Sequence, residues 1–251
     1  MNNYPFASMR DCFDMSAYFV VGPQDCKGRP VTDVVDDALR GGATFIQLRA
    51  KNADAKDITE MARDIAHAIK NSGKSDSVAF VIDDRVDVVW QARDKGIKVD
   101  GVHIGQTDME PQEARALLGE DAIVGLSAET ESLVKLINEL PNGCIDYIGA
   151  GPLHVSTTKP EASVGGNDGS GHTLDEDQIN TICTASEFPV VVGGGGRLVR
   201  GVRNRRSRRP GSGDPRDGDT LEGGARRREA WLRATQEMSK RFREGGSTLY
   251  Q

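Results

Sequence analysis

Seven short apolar runs recur along the first 193 residues: YFVVG (18–22), TFIQL (44–48), VAFVI (78–82), GVHIG (101–105), AIVGL (122–126), IDYIGA (145–150) and PVVVG (189–193). Each is four to six residues long, rich in β-branched side chains, and bounded by polar or glycine signals. Runs of that kind suit strands buried on both faces, as in a parallel sheet. The stretches between them repeat at helical spacing. In 31–40, Val31, Val34, Val35, Ala38 and Leu39 fall on one face, and Gly41-Gly42 ends the segment. In 55–70, Ile58, Met61, Ala62, Ile65, Ala66 and Ile69 do the same. Further helical patterns run from Val86 to Ala92, from Glu131 to Leu140 (stopped by Pro141), and from Leu174 to Ser186, the last opening with acids that favour the helix dipole.

This alternation predicts an α/β fold. A doubly wound open sheet alternates in the same way. The TIM-type (β/α)8 barrel is the better reading, because polar residues stand at the end of nearly every strand, and in a barrel all those ends meet at one mouth. Seven strands are visible. After Gly196 the pattern stops: RLVRGVRNRRSRRPGSGDPRDGDTLEGGARRR has few large apolar residues and much Arg, Gly and Pro, so strand eight and helix seven are not recognisable. The division that follows is a polar N-terminal leader (1–16), a barrel body (17–196), an irregular Arg/Gly/Pro-rich segment (197–228), and a C-terminal helix and tail (229–251).

The chain has 251 residues, enough for one such barrel, which needs roughly 250. No run of about 18 apolar residues is present to make a transmembrane helix. The opening MNNYPFASMRDCFDMS lacks the apolar core of a signal peptide, so the expected location is cytoplasmic. Cys12, Cys26, Cys144 and Cys183 form no CxxC pair, which argues against zinc and for reduced thiols. The net charge of −6 hides a division. Residues 197–251 hold 15 of the 32 Lys+Arg and 7 of the 38 Asp+Glu, so the tail is +8 and the rest −14.

The strand ends carry the candidate chemistry. Strand two ends in QLRAK, where Gln47, Arg49 and Lys51 share one face. Inside a barrel that face is costly unless it meets an anion such as phosphate; otherwise it is a solvated strand end. Strand three ends in IDDR (Asp83, Asp84, Arg85) and strand four in HIGQTD (His103, Gln106, Asp108). Two carboxylates from adjacent strands, beside cations, suit a Mg²⁺ shared with a pyrophosphate. The competing reading is that Asp84 caps the next helix. His103, within its strand, reads as a hydrogen-bonded core residue. Strand five offers Ser127, strand six offers GAGPLHVSTTKP with Ser156, Thr157, Thr158 and Lys159, and strand seven ends in four glycines (193–196), which suit either a phosphate loop or a linker.

The order of these signals resembles the thiamine-phosphate synthase family: QLRxK, [ND]DR, HxGQxD, a strand-end Ser, GPxxxTxTK and a Gly-Gly turn, over about residues 17–196. The resemblance implies a Mg²⁺-dependent transferase of thiamine biosynthesis. It would join 4-amino-2-methyl-5-hydroxymethylpyrimidine pyrophosphate to hydroxyethylthiazole phosphate, giving thiamine phosphate and pyrophosphate. It also implies roles: Gln47, Arg49 and Lys51 for the pyrimidine pyrophosphate, Asp83 for the pyrimidine, Asp84 and Asp108 for Mg²⁺, Ser127 and Lys159 for the pyrophosphate side, Ser156, Thr157 and Thr158 for the thiazole phosphate, and Gly194 at its phosphate. No protein nucleophile is implied.

Three departures stand against the family pattern. Asp83 replaces the usual Asn, Ser156 the usual Thr, and the eighth strand is missing. A reading-frame disturbance from about Gly195 would explain the Arg-rich composition, with EAWLRATQEMSKRF (229–242) as a recovered last helix. The rival is a basic tail for a polyanion such as nucleic acid, against which stands the lack of interleaved aromatics between 197 and 230. The alternative to an active transferase is a barrel remnant that binds the pyrimidine pyrophosphate without turnover. A related thiazole tautomerase is opposed by retention of QLRAK and both metal carboxylates. The partners expected are the two small-molecule substrates, with no membrane; a homo-oligomer is left open.

Overall fold

The computed structural model describes residues 4–152 and 173–193, and the backbone of 200–202. Seven strands form one parallel sheet in chain order: β1 (Tyr18–Val21), β2 (Phe45–Leu48), β3 (Ala79–Asp83), β4 (Gly101–Ile104), β5 (Ile123–Ser127), β6 (Tyr147–Ala150) and β7 (Val190–Val192). Six helices alternate with them: α1 (Val31–Arg40), α2 (Ala55–Asn71), α3 (Val86–Asp94), α4 (Pro111–Leu118), α5 (Glu131–Asn138) and α6 (Glu176–Ala185). This is a TIM-type barrel, nearly closed. Local signals set the helix starts. Asp54, Thr130 and Asp175 each accept a backbone N–H at the start of α2, α5 and α6, and Asp175 forms a reciprocal capping box with Gln178. Helix α4 begins at a proline, which suits the first helical position.

Alternation along the strands separates two cores. Ile46, Leu48, Phe80, Ile82, Val102, Ile104, Val124 and Ile148 face the helices. Tyr18, Phe45, Ala79, Val81, Ile123, Tyr147 and Val191 fill the interior. Glycines make room for the rings. A Cβ on Gly125 would lie 2.1 Å from Tyr147 Cζ, and one on Gly149 would lie 2.7 Å from His103 Cε1.

The sequence reading places no strand after Gly196, yet a three-residue strand, β8 (Arg200–Val202), pairs with β7. It runs antiparallel. Only seven residues separate Val192 from Arg200, and a parallel return needs a crossover of about a dozen or more. Among the described residues β1 pairs with β2 alone. The expected irregular segment beyond residue 202, the helix at 229–242 and the Gly/Ser-rich stretch 164–172 lie outside the described residues.

The leader, expected to be merely polar, is ordered from Tyr4. Met9, Phe13 and Met15 pack against Tyr18, Phe45 and Tyr147. Phe13 meets the Phe45 ring edge-on at 5.8 Å. Arg10 anchors it with bonds to Asp146 (2.7 Å), Glu120 (2.8 Å) and the Gly143 carbonyl (2.8 Å). Asp146 also accepts from Arg115 at 2.7 Å and from the Val124 backbone N–H at 2.8 Å. The four cysteines are free thiols, and no described helix is long and apolar enough to cross a membrane.

Candidate functional site

Three strands deliver their polar residues to the same end of the barrel. On the inward face of β2 and just past it stand Gln47 and Arg49, both almost fully buried. They converge on Asp83 at the end of β3. Gln47 Nε2 donates to Asp83 Oδ1, and Arg49 Nε lies 3.2 Å from Asp83 Oδ2. The alternate residue Lys51 reaches out to Asp84, with Nζ 3.8 Å from Oδ2. The sequence-predicted trio of Gln47, Arg49 and Lys51 is thus one face, and it addresses two successive carboxylates.

Asp84 is set by an unusual backbone. Its φ is 62°, a left-handed conformation that non-glycine residues adopt rarely and at a cost. Its N–H donates to the His103 carbonyl at 2.7 Å, which ties the end of β3 to β4. Helix α3 has Arg85 at its N-cap position with no side-chain cap, so the helix-cap reading of Asp84 does not hold. Instead the Asp84 carboxyl lies close enough to Asp108 for the two carboxyls to affect each other's charge. Asp108 is oriented by the Gly105 N–H, which donates to its Oδ2 at 2.7 Å, and a Cβ on Gly105 would come within 2.9 Å of that oxygen. Burial, then the neighbouring Asp83 and Asp108 charges, push the Asp84 carboxyl up to about 7, and Lys51 offsets this only in part. Among the described residues, the carboxyls of Asp83, Asp84 and Asp108 outnumber the cations of Arg49 and Lys51. Among the described residues, no group of three His, Cys, Asp or Glu side chains converges in metal-binding fashion. Asp84 and Asp108 are a pair.

Beneath this mouth runs a chain of hydrogen bonds that the residue pattern alone did not reveal. Tyr18 Oη donates to Gln47 Oε1 at 2.7 Å and shares a bond with Tyr147 Oη at 2.9 Å. Tyr147 Oη is 3.0 Å from His103 Nδ1, and His103 Nε2 is 3.0 Å from Ser127 Oγ. His103 stacks on Tyr147 with ring centroids 5.4 Å apart. The histidine is buried and hydrogen-bonded, as its place within a strand suggested. Gln106 Nε2 donates to the Ser127 carbonyl, fixing the β4 and β5 ends together. Tyr18 and Tyr147 read as ordinary strand aromatics. Their even spacing from Val20 and Gly149 on an inward face was the signal that could have found them.

Gln47, Arg49, Lys51, Asp83, Asp84, Asp108 and Ser127 are therefore one contiguous set. Ser156, Thr157, Thr158, Lys159 and Gly194 lie outside the described residues. Gly151, at the start of the strand-six loop, shows why glycine stands there: its φ is 144°, and a Cβ would sit 2.3 Å from the Gly193 carbonyl oxygen.

Comparison with known proteins gives the family and the fold. The family described as thiamine monophosphate synthase matches residues 17–201. A thiamine-phosphate synthase of Corynebacterium jeikeium is 38% identical over 183 residues, covering 73% of this chain and 77% of that protein. One from Solidesulfovibrio magneticus is 38% identical over 154 residues, covering 61% and 67%. Among solved structures, a thiamine phosphate pyrophosphorylase from Pyrococcus furiosus superposes with a TM-score of 0.55 at 27% identity, covering 73% of this chain and 77% of that one.

Proposed function

The chain belongs to the thiamine monophosphate synthase family, and on that premise we propose that it condenses 4-amino-2-methyl-5-hydroxymethylpyrimidine pyrophosphate with hydroxyethylthiazole phosphate to give thiamine phosphate and pyrophosphate. The observation that carries this reading is the run of contacts from Arg49 through Asp83 and from Lys51 through Asp84 to Asp108, at the ends of β2, β3 and the β4 loop. It supplies cations for a pyrophosphate and a carboxylate pair beside them.

Arg49 and Lys51 hold the pyrophosphate, Arg49 as a fork and Lys51 as a point charge. Gln47 and Asp83 face the pyrimidine. Ser127 and Lys159 contact the pyrophosphate side, Ser156, Thr157 and Thr158 the thiazole phosphate, and Gly194 its phosphate. Asp84 and Asp108 would hold Mg²⁺. The crowding that pushes the Asp84 carboxyl up to about 7 fits a divalent cation, and two carboxylates plus substrate oxygens are a usual ligand set for Mg²⁺. When bound, Mg²⁺ supplies charge neutralisation for the leaving pyrophosphate.

The reaction needs positioning and electrostatics rather than a protein nucleophile. The C–O bond to pyrophosphate breaks, the aminopyrimidine stabilises the cation left behind, and the thiazole nitrogen forms the new C–N bond. Arg49 and Lys51 favour the first step because negative charge grows on the oxygen they face. The buried floor of Tyr18, Phe45 and Tyr147 excludes water from the cation. The proposed location is the cytoplasm.

The test is thiamine phosphate formation by the purified full-length chain from both substrates, with Mg²⁺ and with chelator. Product that requires both substrates and Mg²⁺ is expected. Binding of the pyrimidine pyrophosphate with no product would instead indicate a barrel that has lost turnover.

A further inference from the structure

The hydrogen-bond chain beneath the mouth has a direction, and one residue sets it. Asp83 is ion-paired with Arg49 and, as a carboxylate, only accepts. Gln47 must therefore offer its amide N–H to Asp83, which leaves its carbonyl oxygen for Tyr18. A phenol has one proton. Tyr18 gives its proton to Gln47, so in the Tyr18–Tyr147 pair the donor is Tyr147. Tyr147 has then spent its own proton and must accept from His103 Nδ1–H. A neutral His103 protonated on Nδ1 carries a bare Nε2, and Ser127 donates to it.

We propose that Asp83 and His103 are positioning residues that commit the Ser127 hydroxyl proton to the protein interior, so that Ser127 faces its ligand without a free donor. This rests on the reading of Ser127 as a pyrophosphate contact given above. An anion at the mouth gains most from an O–H that points at it. In this chain that O–H points inward, and the anion meets oxygen lone pairs until the hydroxyl leaves His103.

An amide at position 83 reverses the whole chain. In Asp83→Asn the side-chain oxygen goes to Arg49 and the NH₂ to Gln47. Gln47 then turns its carbonyl to position 83 and its NH₂ to Tyr18. Tyr18 donates to Tyr147, Tyr147 donates to His103 Nδ1, and Nε2–H donates to Ser127. The Ser127 proton is released toward the ligand. His103 changes tautomer, losing its proton from Nδ1 and gaining one on Nε2 by exchange with solvent, and all five hydrogen bonds reverse direction.

The experiment is ¹⁵N NMR of histidine-labelled, ligand-free full-length protein near pH 8, with the His103 signals assigned by their loss in His103→Gln. Wild type should show His103 protonated on Nδ1, and Asp83→Asn should show it on Nε2. Tyr18→Phe cuts the chain between Gln47 and Tyr147, leaves position 83 unaltered, and should also free His103 from the Nδ1–H form. Wild-type His103 protonated on Nε2, or on both nitrogens, overturns the proposal by itself, whether or not any variant folds. So does an unchanged tautomer in a folded Asp83→Asn protein. The functional arm is a double-mutant cycle read in KM for the pyrimidine pyrophosphate. Ser127→Ala should raise KM by about tenfold more in the Asp83→Asn background than in wild type, the usual weight of one hydrogen bond to a charged group. An equal effect in both backgrounds counts against the proposal. Because the NMR arm needs no turnover, an inactive protein with the predicted tautomers would sink the catalytic reading and leave the directed chain standing.

Discussion

Replacing Gly149 by alanine tests how tightly the barrel floor is built. Gly149 is not among the residues with positive φ, so its backbone can carry a side chain and only space is at issue. The added Cβ would lie 2.7 Å from His103 Cε1 and 3.1 Å from Nε2. The ring cannot swing away freely, because both its nitrogens are bonded at 3.0 Å and it stacks on Tyr147. Overpacking of this kind costs about 1–3 kcal/mol, and losing one imidazole bond adds about 1 kcal/mol. The sum of about 2–4 kcal/mol lowers the melting temperature by about 4–16 °C in a domain of this size. Thermal denaturation followed by circular dichroism gives the number. Gly28→Ala is the control: φ there is 81° with open space around it, so it isolates the conformational cost, roughly 1–2 kcal/mol. The decisive comparison is the His103→Ala background, where the clash disappears. If Gly149→Ala costs as much there as in wild type, the steric argument is wrong.

Three further outcomes are expected. Asp146→Ala leaves Arg10 and Arg115 buried without their shared carboxylate and should cost about 3–5 kcal/mol in urea denaturation. Asp84→Ala and Asp108→Ala should each lower kcat/KM by about a hundredfold and shift the Mg²⁺ titration of activity to higher concentration; unchanged Mg²⁺ dependence would remove them from the metal site. Deletion of residues 1–16 uncovers the aromatic floor under Met9, Phe13 and Met15 and should lower the melting temperature by several degrees and raise binding of an apolar dye.

The strands were legible because each is a run of β-branched and aromatic residues between polar stops, and VAFVI or PVVVG can be little else. Helix α4 escaped: its eight residues, PQEARALL, start at a proline and put too few apolar points in line to show a period. The leader escaped because Met9, Phe13 and Met15 are diluted by Arg10, Asp11 and Asp14, and their burial depends on a floor assembled from β1, β2 and β6. Strand β8 rests on backbone pairing with β7, which RLVRGV does not advertise. At the site, alternation along strand two put Gln47, Arg49 and Lys51 on one face, and strand-end position put Asp84 and Asp108 at the same mouth. Which partner each would choose was hidden. That Gln47 and Arg49 both turn to Asp83, and that Tyr18 and Tyr147 link Gln47 to His103, depends on distances across the barrel that no linear spacing encodes.

The anchoring of the leader also bears on how the chain assembles. Arg10 emerges in synthesis more than a hundred residues ahead of its partners Glu120, Gly143 and Asp146. Strands β1 to β6 join their neighbours through short local crossovers, whereas the leader contact spans 136 positions and closes only after residue 146, just before β6, has been made. Loop-closure entropy and contact order make such a contact late. Until then Met9, Phe13 and Met15 have no floor to cover, and the floor has no cover. A nascent barrel of this chain therefore passes through a stage with an exposed apolar underside, and a bulky fusion at the N-terminus would prolong it.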